Sequence, residues 1–266
     1  MTSIPAVEPP LRMEPQWARH LPPTAALGWL AAGWRDTWQS PLSSLGYGLL
    51  VTVISLLIVI GLFWLRWDFI LLPALAGFMV TGPLLAIGLY EKSRRLAAGH
   101  PVTLRSMIFV RPGSGGQVLF SGALLLTLML LWTRAAVLIY ALFLGVQPFS
   151  GMADVLPMLI GTPPGWAILI VGSAVGALFA AFAFGISVFA IPMLLDQRTD
   201  ALTAMGSSLA LVWHNLTPLL LWGAIAAVLF ALSLVTGLLG LIVIFPVLGH
   251  GTWHAWIAVK AVPVSA

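Results

Sequence analysis

The sequence predicts an all-α membrane protein with six transmembrane helices and with both termini on the cytoplasmic side. Its composition, its apolar runs and the placement of its basic residues predict this class. The 266-residue chain is 60% hydrophobic and 8% charged, whereas a soluble domain carries about 25% charged residues. Because so few charges do not cover the surface of a soluble protein, lipid is the predicted solvent for most of the apolar side chains.

Six apolar runs are long enough to cross about 30 Å of hydrocarbon as helices. They are Leu45–Leu65, Phe69–Tyr90, Val118–Gly145, Trp166–Leu195, Leu216–Thr236 and Leu238–Ile257. The third and fourth runs exceed this length, which predicts tilt or extension beyond the bilayer. The last two runs are separated at Gly237, and a tight hairpin is favoured there over one long broken helix.

The basic residues lie almost entirely on one side of these runs. Of the 12 lysines and arginines, Arg66 lies in a loop on the opposite side and Arg134 lies within a run. The others lie in the N-terminal segment, in the second and fourth connections and in the tail. The positive-inside rule therefore predicts cytoplasmic termini. Because this rule also explains the net charge of +4, no nucleic-acid partner is predicted.

The chain reads as three similar units, each an amphipathic stretch followed by a transmembrane hairpin. The units are predicted at 24–92, 103–195 and 199–257, and a repeat of this kind can build a pseudo-symmetric bundle. Together they form a single membrane domain, 24–257, between a flexible N-terminal tail, 1–23, and a C-terminal tail, 258–266. No cleavable signal peptide is predicted, because no apolar run occurs before about Leu45.

Two local features support the units. The amphipathic stretches are suited to the lipid headgroup layer, although connector helices packed on the bundle would show the same pattern. Thr199 is the predicted N-cap of the third stretch. Pro83, Pro192 and Pro246 each fall late in the second helix of a hairpin. Since proline removes a backbone donor, each is a predicted kink.

Several segments resemble a bacterial integral-membrane family classed as a domain of unknown function. They are Gly46-Tyr47-Gly48, Gly82 to Glu91, Ser93 to Leu96, Ile191 to Asp196, Asp200-Ala201, Asn215 and Pro246 to Trp256. The resemblance implies a multi-pass protein of the bacterial inner (plasma) membrane. Some family members carry a cytochrome c oxidase label, which implies a respiratory link. The resemblance supplies no catalytic or binding residue.

The residues themselves argue against a catalytic oxidase subunit. Such a subunit needs several histidines inside the bilayer to hold two haems and copper. None of the five histidines falls at the middle of a predicted run, and the chain has no cysteine, which excludes thiolate metal sites and thioether-linked haem. No cofactor is predicted.

Arg134 is the best single site candidate. It lies near the centre of the third run, where a cation costs about 2.5–3.5 kcal/mol on translocon scales. It is therefore expected to face the bundle interior, a cavity or a partner protein. No acidic residue lies deep within a run, so an internal counter-ion is not evident.

Three weaker site candidates follow from spacing. His250 and His254 are four residues apart, so their rings share one helical face and form a weak candidate metal pair. Lys92, Arg94 and Arg95 are a candidate lipid-headgroup cluster. The small residues Gly172, Gly176 and Ala180 favour close helix packing, within the bundle or between two copies.

These observations favour a non-enzymatic accessory or scaffold component that packs against another membrane protein or against itself. The alternative is a small-solute or lipid transporter with a water-accessible cavity at Arg134. An enzyme is less favoured, because no cluster of acid, base or metal-binding residues is evident at either membrane face.

Overall fold

The computed structural model describes residues 17–145 and 152–260. Within these ranges the chain forms α-helices and one 3-10 turn, Asp68–Ile70, and no strand. The helices are α1 (Ala25–Gln39), α2 (Pro41–Trp64), α3 (Leu71–Leu85), α4 (Ile87–Ala97), α5 (Leu104–Ile108), α6 (Gly115–Leu144), α7 (Met152–Gly161), α8 (Pro163–Ser187), α9 (Ala190–Asp196), α10 (Ala201–His214), α11 (Leu216–Val235) and α12 (Leu241–Lys260).

Six segments of the described chain are long and apolar enough to cross a membrane. They are Pro41–Trp64, Leu71–Ala97, Gly115–Leu144, Pro163–Asp196, Leu216–Val235 and Leu241–Lys260. They match the six predicted runs in number and order, so the prediction of an all-helical chain with six candidate spans is confirmed. The last span begins at Leu241 rather than Leu238, because the turn before it is longer than one residue.

The last two spans form the predicted tight hairpin. Gly237 and Leu238 adopt positive φ angles of 62° and 70°, which turn the chain after α11. The Trp222 indole of α11 then donates a hydrogen bond to Thr252 Oγ1 of α12 over 3.3 Å. The two helices therefore lie side by side rather than in one line.

The three prolines occupy different helical contexts. Pro83 lies inside α3, and the helix is interrupted at Ala86, three residues later. Pro192 lies in the first turn of α9, just after the interruption that separates α9 from α8. Pro246 lies within α12, which runs without interruption.

Helix α12 lies at the centre of the bundle, and glycines bring its neighbours close to it. A Cβ at Gly33 of α1 would lie 2.3 Å from the carbonyl oxygen of Val247, and one at Gly48 of α2 would lie 2.2 Å from that of Ile242. Since a real Cβ does not fit at these distances, α1 and α2 can approach α12 this closely only with glycine there. We call the end of the bundle with Arg94 and Lys260 the near end, and the end with Arg66 the far end.

The amphipathic helix α1 packs on the bundle with a mixed face. Its buried side includes Trp29, Gly33 and Asp36, whereas Leu27 and Trp34 are exposed. Some apolar side chains, such as Leu27 and Trp34, therefore point outward, and one carboxylate points inward. Trp253 and Trp256 of α12 are also buried, and Trp256 packs against Phe189.

One predicted cap is wrong, and the tails are described in part. Asp200, not Thr199, caps α10, because its carboxylate accepts a hydrogen bond from Thr203 N over 2.9 Å. Residues 1–16 of the predicted N-terminal tail lie outside the described ranges. The part that is described contacts the bundle, since Arg19 Nε donates to the Val259 carbonyl over 2.6 Å.

Candidate functional site

A buried polar network joins four helices at the near end of the bundle. Its members are Asp36 of α1, Ser44 of α2, Lys92 and Ser93 of α4, and His250 and His254 of α12. The helices meet there because glycines admit close contact: a Cβ at Gly249 would lie 2.5 Å from a Leu89 methyl carbon. Except for His254, each member side chain belongs to a buried residue.

Lys92 begins the network. Its Nζ donates hydrogen bonds to Ser44 Oγ over 2.7 Å and to the Ser40 carbonyl over 3.0 Å. Ser44 Oγ lies 2.9 Å from His250 Nε2. Lys92, Ser44 and His250 are all 0% exposed. An ammonium group this deeply buried needs strong acceptors, and the serine and the backbone carbonyl supply them.

The second half of the network runs from His250 to Asp36. His250 Nδ1 lies 2.9 Å from Ser93 Oγ and 3.1 Å from the Leu89 carbonyl. Ser93 Oγ donates to Asp36 Oδ2 over 2.5 Å. His254 Nε2 lies 2.9 Å from the same carboxylate oxygen. Asp36 therefore receives hydrogen bonds from α4 and α12, which hold α1 in place.

The contacts determine which group donates in each hydrogen bond from Lys92 to Asp36. A carbonyl only accepts, so the Leu89 contact places the proton of His250 on Nδ1. Its Nε2 then accepts from Ser44, whose lone pairs accept from Lys92. Ser93 accepts from Nδ1 and passes its own proton toward Asp36. Each group therefore donates to the next, from the Lys92 ammonium through the neutral imidazole of His250 to the Asp36 carboxylate.

The network determines the charge of Asp36. Burial by itself raises the pKa of this carboxyl, but hydrogen bonds from His254 and Ser93 and the electrostatic attraction of His254 outweigh it, so the pKa lies below its ordinary value. Asp36 is therefore a carboxylate at neutral pH. A charged acceptor makes stronger hydrogen bonds than a neutral one.

The arrangement resembles catalytic chemistry in its residue types only. A serine hydroxyl between an imidazole and an amine is the pattern of an activated nucleophile. However, Ser44 is fully buried, and its lone pairs and proton are used by Lys92 and His250. The network is therefore built to hold α1, α2, α4 and α12 together.

His250 lies at the near end of the bundle, where it meets Ser44, the fourth residue of α2. It is the tenth residue of the 20-residue α12, which begins and ends three residues later than the predicted run. His250 and His254 do share one side of the helix, but they meet serines and Asp36. Within the described ranges, no group of three or more potential metal ligands is close enough to hold an ion.

Arg134 does not face the interior of the bundle. Its side chain is exposed on α6, and no hydrogen bond or ion pair joins it to another residue of the described chain. Of the three expected surroundings, the bundle interior therefore does not apply, and a cavity or a partner protein outside this chain remain as the alternatives. The physical reason is that α6 turns its small and hydroxyl residues, such as Ser121 and Gly122, toward the bundle.

The predicted headgroup cluster is largely engaged within the protein. Lys92 is fully buried in the network. Arg94 and Arg95 form ion pairs with Glu91 at 2.5 Å and 2.6 Å. The two arginines also line a 340 Å³ cavity with Glu91, Ala98 and His100.

The small-residue stripe of α8 is only partly in contact with other helices. A Cβ at Gly176 would lie 2.9 Å from the Trp132 ring of α6, whereas nothing lies within 4 Å at Gly172. Ala180 is exposed. Packing within the described bundle therefore uses Gly176.

Sequence reasoning missed the network because its members are far apart in the chain. Ser44 and His250 are separated by 206 residues, and Asp36 and His254 by 218. One local signal was available: Ser44, Gly48 and Thr52 recur every four residues in an otherwise apolar run. This spacing places them on one helical face, and small or polar residues on such a face indicate contact with protein rather than lipid.

Comparisons with known proteins agree with a membrane protein of unknown function. No curated protein and no solved structure matches the chain. A family model matches the segment from α3 to α9, which includes Lys92 and Ser93 of the network. Residues 70–196 match a family described as "Predicted integral membrane protein (DUF2189)", so over this region the chain is similar to an integral membrane family of unknown function.

Proposed function

We propose that this protein is a non-enzymatic accessory or scaffold component that binds another integral membrane protein through the outer face of α6. The observation that carries the proposal is the exposed Arg134, which has no partner in the described chain. A lone cation costs about 2.5–3.5 kcal/mol at the centre of a span on translocon scales, and less toward the boundary where Arg134 lies. A carboxylate on a neighbouring helix would offset this cost.

The surroundings of Arg134 define the partner. A Cβ at Gly77 of α3 would lie 2.8 Å from Met129 of α6, and the helices run in opposite directions. Arg134, five residues beyond Met129, is therefore roughly level with Leu72, near the far end. On the same helix Leu130, Leu131 and Leu138 are 66%, 56% and 69% exposed. This apolar surface with one cation fits a transmembrane helix that carries an acidic residue near its far-end boundary.

The polar network supports a role in binding rather than catalysis. Its hydroxyl and imidazole groups are used internally, so they stabilise the near end of the bundle instead of meeting a substrate. The respiratory link implied by the family resemblance makes a respiratory complex in a bacterial inner membrane the first partner to test. In this proposal the near end, which carries most basic residues, faces the cytoplasm.

The test is a photo-crosslinking amino acid at Leu138, combined with isolation of the tagged full-length protein in mild detergent. We expect a crosslink to one defined membrane protein, recovered in a stoichiometric amount. Arg134→Gln should abolish this recovery, whereas Arg66→Gln, which removes an arginine at the far-end turn, should preserve it.

Two outcomes would contradict the proposal. Crosslinks to lipid alone, unchanged by Arg134→Gln, would mean that Arg134 meets headgroup phosphate. Labelling of an Arg134→Cys variant by a membrane-impermeant thiol reagent would indicate a water-filled path and support the transporter alternative. The native chain has no cysteine, so such labelling would report this position alone.

A further inference from the structure

A cleft opens on the outside of the bundle between α1 and the hairpin of α11 and α12. Its volume is 540 Å³. Apart from one arginine its lining is apolar, formed by Leu27, Leu30, Ala31, Trp34, Leu229, Val243, Ile244 and Val247. Such a lining has no polar group to hold ordered water, so hydrocarbon is its natural filling.

The one charged residue of the cleft is Arg35. Its side chain is exposed, and no hydrogen bond or ion pair joins it to another described residue. The next residue, Asp36, does not neutralise it. Successive helical residues point about 100° apart, and the Asp36 carboxylate is directed inward to Ser93 and His254. The Arg35 charge is therefore available to an anion outside the chain.

We propose that this cleft binds one anionic phospholipid, with an acyl chain along the apolar lining and the phosphate at Arg35. A planar guanidinium binds phosphate through two parallel hydrogen bonds. The apolar lining of the cleft requires a hydrocarbon chain, which free phosphate lacks. The charge complementarity and the lining together select a lipid.

The position of Arg35 suits a headgroup. It lies six residues before α2 begins its span at Pro41, at the near end of the bundle. Trp34 and Trp38 are exposed beside it, with ring centroids 5.5 Å apart. Exposed tryptophans are enriched at the boundary between headgroups and hydrocarbon. The cleft then extends from that boundary to Val243 and Leu229, which lie within spans.

The contrast with the cluster predicted from the sequence strengthens the assignment. Arg94 and Arg95 share the Glu91 carboxylate, and Arg94 also donates to the Leu195 carbonyl over 3.1 Å. Their charge is partly neutralised, and a carboxylate, Glu91, lines their 340 Å³ cavity beside them. Arg35 combines an uncompensated charge with an apolar cleft, which is what a phospholipid requires.

The experiment is native mass spectrometry of the delipidated full-length protein, titrated with phosphatidylglycerol or with phosphatidylcholine of identical chains. We expect one tightly bound phosphatidylglycerol and weaker phosphatidylcholine binding. Arg35→Gln should weaken phosphatidylglycerol binding about fivefold, the effect of one basic residue near the membrane surface. Ala31→Trp, which fills the cleft, should remove the tight site for both lipids. Glycerol phosphate, which has no chain, should not bind.

The matched control is Arg111→Gln, because Arg111 is also exposed and basic but does not line the cleft. It should leave the titration unchanged, and the melting temperature of each variant checks its folding. Equal losses for Arg35→Gln and Arg111→Gln would overturn the site in favour of a diffuse basic surface. Equal wild-type affinity for the two lipids would overturn the charge assignment, and binding of glycerol phosphate would overturn the lipid.

Discussion

Helix α12 and the segment formed by α8 and α9 are both long apolar spans, yet they occupy opposite environments. In the most apolar 18-residue stretch of α12, 56% is buried inside the protein, whereas in that of Pro163–Asp196 only 6% is buried. The less apolar of the two is the buried one, with a window mean hydropathy of 1.4 against 2.4. In a bilayer the lipid is as apolar as a leucine side chain, so polar groups such as His250 lie inside the protein.

The glycines show this difference in part. Those of α12 meet other helices directly, since a Cβ at Gly251 would lie 2.5 Å from the Trp222 ring. In α8, Gly176 also meets a neighbour, the Trp132 ring, but Gly172 has nothing within 4 Å. The comparison teaches that small residues support close packing only where a second helix is present, and that spacing alone does not tell the two cases apart.

The largest expected effect comes from closing the contact between α1 and α12. Gly33→Val should lower stability by about 3 kcal/mol or more, because its side chain would overlap backbone atoms of Val247 and Gly251 that cannot move aside. Gly28→Val in the same helix meets nothing within 4 Å and should leave stability nearly unchanged. Thermal unfolding in detergent, followed by tryptophan fluorescence, measures both. Similar losses for the two variants would mean that α1 is not docked on α12.

The next effect is removal of the central imidazole. His250→Ala should cost about 2 kcal/mol, because Ser44 and Ser93 lose their buried partner. The matched change is His100→Ala, at an exposed histidine outside the network, and it should have little effect in the same unfolding assay. An unchanged melting temperature for His250→Ala would argue against the network.

A smaller effect, dependent on pH, is expected from Asp36→Asn. The folded-state pKa of Asp36 lies below its ordinary value, so its carboxylate contributes stability above about pH 4 and loses that contribution as the pH falls through the folded pKa. The variant should therefore be about 1 kcal/mol less stable than the wild type at pH 7, with the difference shrinking below about pH 4. Melting temperatures of both proteins from pH 7 to pH 3 test this. A difference that stays constant over that range would exclude the ionised carboxylate as its source.

The smallest effect on stability is expected at Arg134. Because this side chain is exposed and makes no hydrogen bond or ion pair with a described residue, Arg134→Gln should change the stability of the isolated protein by less than about 0.5 kcal/mol. The effect of Arg134→Gln should appear only as a lower recovery of the partner protein. A marked destabilisation of the isolated protein in the same unfolding assay would show that Arg134 is bound within the chain after all.

The spans were predictable because each depends on local composition. An uncharged run of some 20 residues satisfies its backbone hydrogen bonds as a helix wherever the lipid surrounds it. The hairpin at Gly237 was predictable for a similar reason, since a glycine at a break between two apolar runs permits the positive φ of a turn. The cap at Asp200 was misplaced by one residue, because both Thr199 and Asp200 have the chemistry of a cap.

The orientation of individual side chains was not predictable in the same way. Arg134 was expected to face the bundle interior, a cavity or a partner protein, and its side chain is exposed outside the bundle. Lys92 was a candidate for binding headgroups and is buried against Ser44. Each of these outcomes depends on which helix lies next to the residue. The three-unit repeat stays a prediction, because similar local sequence patterns do not require similar packing of the helices.

The sequence by itself determined that this is a helical membrane protein with six candidate spans, because crossing hydrocarbon requires only enough consecutive apolar residues. Tertiary structure alone decided that Asp36, Ser44, Lys92, Ser93 and His250 form one hydrogen-bonded chain, and that Arg35 stands free beside an apolar cleft. The physical reason is the range of the interactions. The hydrophobic effect acts on each segment separately, whereas hydrogen bonds act within about 3 Å and depend on neighbours up to 240 residues away in the chain.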